Sequence, residues 1–526
     1  MFLPLLVCFF VLLIYYTLFK PLTYWKDRNV PHIKPWPVLG NALPMLTGKH
    51  SITEFIEMIY HQFPNERYVG IFSFRNPQLM IKDLNLVKRI GVKDFDYFTN
   101  RTVQITEKVE PLFGRALISL LDQKWRDMRA TLSPTFTSSK MRFMFNLVSD
   151  CAVQFVDHFL DEDDGDVIEV DTKDVSTRFT NDAIATAAFG IHLNSLEDKT
   201  NDFFLMGKDL NNVTTWRALK LLGYSIFPAL MRLLKVPLLP GKYLGFFTNI
   251  VKGNIREREE KGLVRPDLIH ILLERRQGKG TDEDVVLPKE FAISNEVAVE
   301  SRRIVELTDE DIVAQALMFF FAGFETTSTL ICFMCHELAA NPDVQQRLQE
   351  EINDVLKRCD GKVMYEALLS MKYLDMVVSE TLRLWPPGIL LERVCAKDYA
   401  IPSDDGQRSI TVKKGVSVTV PVFAIHRDPK YFSDPNSFSP ERFSDQNKCT
   451  IKPFSYLPFG VGPRICIASR FALMETKILF FHLLSKFELV PTKKTTIPMV
   501  LTRKKIILAP ENGFWVGLRR RSTPSH

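Results

Sequence analysis

Cys466 closes a loop of distinctive composition, Phe459-Gly460-Val461-Gly462-Pro463-Arg464-Ile465-Cys466-Ile467-Ala468, and opens an apolar run that reaches about Leu484. That run (CIASRFALMETKILFFHLL) predicts a helix with the cysteine at its start. A cysteine there has two reasons to be a thiolate. The N–H groups and dipole of a helix start favour negative charge, and Arg464 adds a full positive charge beside it. Gly460 and Gly462 permit positive φ and close backbone approach, as a flat ligand lying on the loop requires. A thiolate held this way can be the axial ligand of a haem iron. A lone cysteine is ordinarily a buried small hydrophobe, so the weight rests on the string around it and on residues elsewhere.

A second constellation lies on a long helix predicted to begin near Thr308, where Thr308-Asp309-Glu310-Asp311 reads as an N-cap with an acidic first turn. The helix runs on through IVAQALMFFFAGFETTSTLICFMCHELAAN, and Pro342 follows its end. Ala322-Gly323 offers a surface poor in side chains. Thr326, four residues after Ala322, can bond the Ala322 carbonyl and open the helix locally. The result is a polar notch in an apolar wall, suited to a dioxygen and a water. Cys332-Phe333-Met334-Cys335 has the form CxxC but lies inside this apolar helix with no second ligand pair, so both cysteines read as buried hydrophobes. His336-Glu337 lacks the second histidine of a zinc-protease motif.

The rest of the chain must position these residues. Its 526 residues nominally allow about three or four domains, but no repeat or low-complexity linker divides the body. Hydrophobic residues make up 46%, with 40 phenylalanines, which suits a large apolar interior with an apolar pocket. A net charge of +5 implies no nucleic-acid partner, and eight irregularly spaced cysteines are unlike a disulfide framework, so a reducing compartment is expected. Met1 to Phe19 carries no charged side chain and is long enough to span a membrane. Lys20, Lys26, Arg28 and Lys34 follow it, which places the body in the cytosol. A cleaved secretory signal would need a basic start and a small-residue cleavage site, and neither is evident. Pro31, Pro35 and Pro37 stiffen a connector. Short β-rich runs fall at 65–95, helical periodicity dominates from about 120 to 385, and strand-like runs return at 410–422 and 497–517. A polar interruption near 276–305 reads as a surface loop. No GxGxxG or Walker loop stands out, so electrons for any redox chemistry must come from a partner.

The cysteine loop resembles the haem-binding signature of the cytochrome P-450 family, the haem-thiolate monooxygenases, from Phe459 through the glycines and Arg464 to Cys466. It departs at Ala468, where glycine is usual. The Ala322–Thr326 segment resembles the family's oxygen-activation motif, which implies that Thr326 and Glu325 support proton delivery during O–O cleavage. Glu380 and Arg383 in SETLRLWPP, with Arg442 in Pro440-Glu441-Arg442-Phe443, resemble the family's buried cluster in which one glutamate serves two arginines. Trp125 and Arg129 in QKWRDMRATLSPTF resemble its propionate-binding pair. Arg464, Arg393 in LLERVCAKD and Arg101 in FTNRT align with arginines serving the same end, the bland alternative for Arg101 being a surface position. The resemblance covers the chain from the anchor to the last strands. LERVCAKD, LSPTFTSSKM and CIASRFALME look closest to the vertebrate drug-metabolising and insect detoxification group, the insect branch fitting best.

From that resemblance the fold is expected to be mainly α with a smaller β part (α+β), a triangular helix-rich body with a long distal helix over the haem and an N-terminal transmembrane helix. The segments would be an anchor over 1–19, a basic proline-rich connector over 20–44 and a catalytic domain over 45–526. The cofactor implied is haem b (iron protoporphyrin IX), with electrons from NADPH through a separate NADPH–cytochrome reductase and cytochrome b5 as a further partner. The setting is the endoplasmic reticulum membrane. Lys124, Arg126, Lys448 and Lys452 are the expected docking cations. Distal lining is expected from the loop ITEKVEPLFGRALISL, from Phe319, Phe320 and Phe321, and from Gly388-Ile389-Leu390-Leu391, with Ile506-Ile507-Leu508 closing it. Such walls imply a lipophilic substrate. Leu221 to Pro240 resembles the family's membrane-dipping entrance element. The rival functions are a haem-thiolate isomerase or dehydratase acting on a peroxide, which the intact Gly323, Glu325 and Thr326 disfavour, and a non-enzymatic haem sensor, for which no signalling domain is seen.

Overall fold

The computed structural model describes residues 2–521 apart from 103–105, 163–164, 213, 266, 278–304, 403–408 and 504–507. The polar interruption expected near 276–305 therefore lies almost wholly outside the described residues, as do Ile506 and Ile507.

The long helix Asp309–Ala340 organises the body. Thr308 caps it, accepting from the Asp311 N–H, while the Asp311 side chain returns a bond to the Thr308 N–H. This reciprocal cap satisfies two of the free donors at a helix start. Most of the helix is buried, so an apolar length sufficient for a membrane is used here as core. It packs along the Thr172–Ile184 helix on one side and the Ser469–Lys486 helix on another. Cys332 and Cys335 sit fully inside its core face, where burial raises both thiols above their ordinary range, as expected of small hydrophobes.

Among the described residues the smaller β part holds three sheets. Strands β1 (Tyr68–Ser73) and β2 (Asn76–Ile81) form a hairpin. Strand β3 (Val167–Asp171) falls inside the stretch expected to be helical. Strands β4 (Leu391–Val394), β5 (Tyr399–Ile401), β6 (Ile410–Val412) and β7 (Ser417–Val420) follow the central helices. Strands β8 (Phe487–Val490) and β9 (Trp515–Arg520) lie near the end. The four-stranded sheet has the order β1-β2-β7-β4, with β2 and β7 parallel. The second sheet is β3-β9-β8, and β5 pairs with β6. Strand β3 was hidden in the sequence because its partner β9 lies more than three hundred residues away. The expected 497–517 region contributes an isolated bridge, Leu501 to Pro510, and only the start of β9.

One expected element needs correction. The helix after the cysteine begins at Ser469, not at Cys466. Gly462–Arg464 forms a tight 3-10 turn and the Cys466 N–H donates to the Phe459 carbonyl at 2.9 Å, so the chain is still in the loop at the cysteine. The stretch expected to be a stiff connector is also packed on the body. Trp25 is fully buried, and its Nε1 donates to the Ile71 carbonyl at 3.0 Å.

Behind the central helix, Glu380 and Arg383 on the Lys372–Leu384 helix form an ion pair of 2.7 Å with neither side chain exposed. Arg442 adds a second cation at 3.2 Å. Arg383 also donates to the carbonyls of His426, Pro435 and Ser437, and Glu380 accepts from the Ser439 N–H. Every strong donor in this dry cluster thus has an acceptor, which is what makes a buried ion pair tolerable. The arrangement ties the helix to the loop leading to the cysteine. Arg383→Ala leaves Glu380 with only the more distant Arg442, and a broken buried pair costs about 3–5 kcal/mol. A denaturant melt of the purified variant should show that loss together with poor haem incorporation. Full haem content and an unchanged melt would contradict it.

Candidate functional site

Cys466 lies on the wall of a cavity of about 490 Å³, with Pro458, Phe459, Ala468, Phe471 and Ala472 around it. Phe319, Ala322, Gly323, Thr326, Thr327 and Leu330 of the central helix also line it. The cavity wall is therefore mostly apolar with a few polar groups, the usual composition of a ligand site.

The cysteine loop takes its path from two glycines. Gly460 has φ +92 and Gly462 φ +69. A Cβ at Gly462 would lie 1.8 Å from the Gly91 carbonyl oxygen, whereas one at Gly460 would make only ordinary contacts, with the Leu391 side chain at 3.5 Å and the Ile465 Cα at 3.9 Å. The loop is thus pressed against residue 91 at one point and open at the other.

Arginines surround one end of the cavity. Arg101 and Arg393 line it directly, and Arg464 stands behind them. Arg101 donates to the Arg464 carbonyl at 3.2 Å, so it is no surface arginine. Arg464 donates through Nε to the Thr99 carbonyl at 2.9 Å and through a terminal nitrogen to the Leu120 carbonyl at 3.0 Å. Its guanidinium lies 3.9 Å from the centre of the Trp125 ring. Trp125 and Arg129 share the buried face of the Asp122–Leu132 helix. Arg393 donates to the Glu392 and Val461 carbonyls, while its buried Nε has no partner among the described residues.

Burial first, and then the neighbouring Arg101, push Arg393 down to about 9. Burial, followed by Arg101, Arg393 and Arg129, pushes Arg464 down to about 8. Burial also lowers Arg101, with the Cys466 sulfur opposing the shift. An arginine is ordinarily charged at every accessible pH. Burial is the main cause of these depressions; the mutual repulsion of the arginines adds to it, and Glu392 and Asp122 oppose it. A flat dianion ligated through sulfur fits this site on three counts: the apolar walls, the orphaned Arg393 nitrogen and the single thiol.

On the central helix, the Thr326 hydroxyl donates to the Ala322 carbonyl at 2.7 Å and faces the cavity. Glu325 does not line it. Its carboxylate sits 2.8 Å from Lys173 Nζ, which also donates to the Ser328 and Thr329 hydroxyls. Successive helix residues point about 100° apart, so Glu325 and Thr326 face different neighbours. The same geometry separates the three phenylalanines. Phe319 lines the cavity, Phe320 is core against Phe203 and Phe247, and Phe321 packs on Phe113. Gly388, Leu390 and Leu391 line the cavity, whereas Ile389 packs into neighbouring core. The described part of the 105–120 loop is pinned to the central helix instead, Leu117 donating to Gln315 and Gln315 to the Arg115 carbonyl. Leu508 is buried beside Phe333 and Phe514.

Sequence reasoning passed over Lys173 and Glu475. Glu475 is wholly buried, and burial raises its carboxyl well above the usual range, with the cavity-lining Thr327 opposing. A lone carboxylate within METKILFF was the available signal. Among the described residues no group of three or more histidine, cysteine or carboxylate side chains could hold a metal ion.

Gly462→Ala should therefore be far worse than Gly460→Ala. Both carry the left-handed backbone cost of roughly 1–2 kcal/mol, but only the first forces the loop off residue 91. Thermal unfolding of the two purified variants checks this, and equal midpoints would contradict it.

A family model described as Cytochrome P450 matches residues 30–516. Cytochrome P450 9e2 of Blattella germanica is 45% identical over 513 residues, covering 95% of this chain and 94% of the relative. Probable cytochrome P450 9f2 of Drosophila melanogaster is 42% identical over 509 residues, covering 95% of each. Cytochrome P450 6k1 of Blattella germanica is 36% identical over 495 residues, covering 94% of this chain and 92% of the relative. With a thiol, a threonine notch and a ring of arginines on one cavity, the chain belongs to the cytochrome P450 family, whose members are generally haem-thiolate monooxygenases using haem and reductase-supplied electrons.

Proposed function

We propose that this protein is a microsomal monooxygenase that inserts one atom of O₂ into lipophilic compounds, in the manner of an insect detoxification enzyme. The observation that carries this reading is the cavity shared by Cys466 and Thr326. Cys466 would ligate the iron of haem b, and Arg101, Arg393 and Arg464, with Trp125 and Arg129, would hold its propionates. Phe459 would pack beside the ligand. The bound haem supplies the chemistry of activating O₂ with two electrons, which originate in NADPH and arrive through a separate reductase.

The chain's own residues do the rest. The apolar wall of Phe319, Leu330 and Leu390 selects lipophilic substrates and excludes bulk water. Thr326 donates to Ala322 at rest and so presents its oxygen to the cavity as an acceptor. Rotating that O–H away from the carbonyl hands a proton into the notch. Glu325 would resupply it, after leaving Lys173, on which it rests.

The N-terminal segment supports an endoplasmic reticulum setting. Leu3–Thr23 is long and apolar enough to span, and none of it is buried in the body. Residues 1–19 would be the anchor, 20–44 the connector and 45–526 the cytosolic catalytic domain. The helices Thr215–Ile226 and Pro228–Leu233 expose Trp216, Leu230 and Leu233, a face suited to dip into lipid and admit substrate. Lys124 and Lys452 support a docking role for the reductase and cytochrome b5. Arg126 and Lys448 already pair with Asp96 and Asp445.

The test is incubation with reductase, NADPH and ¹⁸O₂ against insecticides, plant terpenoids, fatty acids and steroids. Label in several unrelated lipophiles supports a broad detoxifying role, and label in one class alone a dedicated one. No label, with turnover of peroxides instead, would overturn the reading. In the same assay Thr326→Ala should lower labelled product about 100-fold, the low end for losing a proton-transfer group, while NADPH oxidation continues. Equal loss of both would contradict the relay.

A further inference from the structure

Arg75 sits at the tip of the β1–β2 hairpin, after Phe74, whose φ of +55 is a costly conformation for a phenylalanine. From there its guanidinium forks between two helix ends. One terminal nitrogen donates to the Thr17 carbonyl at 2.7 Å, and the other to the Ile226 carbonyl at 2.7 Å. The charge also lies 5.4 Å from the centre of the Phe227 ring, and the neighbouring Asn76 donates to the Ser225 carbonyl.

Both carbonyls need an outside donor, for reasons written in the chain. An α-helix would satisfy Thr17 with the N–H of residue 21, but residue 21 is proline and has none. Ile226 is the last residue of its helix, and Phe227-Pro228 breaks the chain there. Carbonyls at helix ends carry partial negative charge and attract cations. Arg75 meets two of them at once with a rigid two-pronged donor, which a lysine cannot imitate. Thr17 belongs to the apolar N-terminal helical segment, and Ile226 stands between Trp216 and the exposed Leu230, Leu233 and Leu234. The hairpin itself is paired into the four-stranded sheet through β2 and β7, so the fork is mounted on a rigid base.

We propose that Arg75 is a positioning residue that latches the membrane anchor to the entrance helices, so that the two meet the lipid bilayer as one rigid face. This rests on the membrane reading given above. The anchor is then no loose tether. It sets the depth and tilt at which the 216–234 surface contacts lipid, and so the path by which a lipophilic substrate leaves the bilayer for the cavity.

The test uses the full-length haem-loaded protein in lipid nanodiscs. Spin labels are placed at Leu13→Cys on the anchor and Leu233→Cys on the entrance helix, with Cys8 and Cys449 changed to serine and Cys359 to alanine. The latched protein should give one narrow label separation. Arg75→Ala should lose that narrow peak, and Arg75→Gln, which reaches one carbonyl at most, should broaden it. The thermal midpoint of the haem band should stay unchanged in both, because neither touches the core. Collision with lipid-soluble oxygen, against a water-soluble relaxant, reports separately whether residue 233 lies in lipid. A lipid-buried label at 233 with the same narrow separation in all three proteins would overturn the latch and leave the membrane reading standing. A water-exposed label at 233 in the otherwise unaltered protein would overturn both.

Discussion

Four arginines held together around one cavity set the condition that the rest of the site must meet. Like charges repel strongly where water is scarce, and burial already depresses Arg393 and Arg464 far below an arginine's ordinary range. Carbonyl groups of Thr99, Leu120, Glu392 and Val461 soften the cost by accepting their hydrogen bonds. The carboxylates of Glu392, near Arg101 and Arg393, and of Asp122, near Arg464, offset part of the positive charge, and an anion in the cavity would offset more. Beside the cluster stands the Cys466 sulfur, which opposes the lowering of Arg101. Under the proposed reading the same arginines would receive the propionates of the haem.

The surrounding fold keeps this condition in place. The loop bearing the cysteine is pressed on residue 91 at Gly462, and the preceding segment is fastened by Glu380 and its two arginines. The central helix closes the other side with Thr326 turned inward and Glu325 turned to Lys173. The Glu325 carboxylate is thus separated from the apolar wall that Phe319 and Leu330 give the cavity. On the far side, Arg75 joins the Leu3–Thr23 segment and the Thr215–Ile226 helix to the same sheet that carries Arg393.

Much of this was legible in the chain because the constraints are local. Glycines at 460 and 462 announce a backbone that only glycine takes easily, and the Thr308 cap announces a helix start. The i,i+3 pair Glu380 and Arg383 announces a shared face. What stayed hidden depends on direction or on distance. Glu325 and Thr326 adjoin in sequence yet face apart, and Phe320 turns into core between two phenylalanines that do not. Strand β3 is defined by a partner at the other end of the chain, and the burial of Glu475 follows from how two helices pack. The helix after Cys466 starts three residues late because a 3-10 turn and the bond to Phe459 hold the cysteine in the loop.

The central claim is that the Cys466 sulfur is the axial ligand, and the absorption spectrum of the reduced, carbon monoxide-bound protein tests it most directly. The unaltered protein should show the strongly red-shifted Soret band of a thiolate ligand. Cys466→Ser should lose that red shift even where haem is retained. A red-shifted band that survives in Cys466→Ser would place the ligand elsewhere and contradict the account.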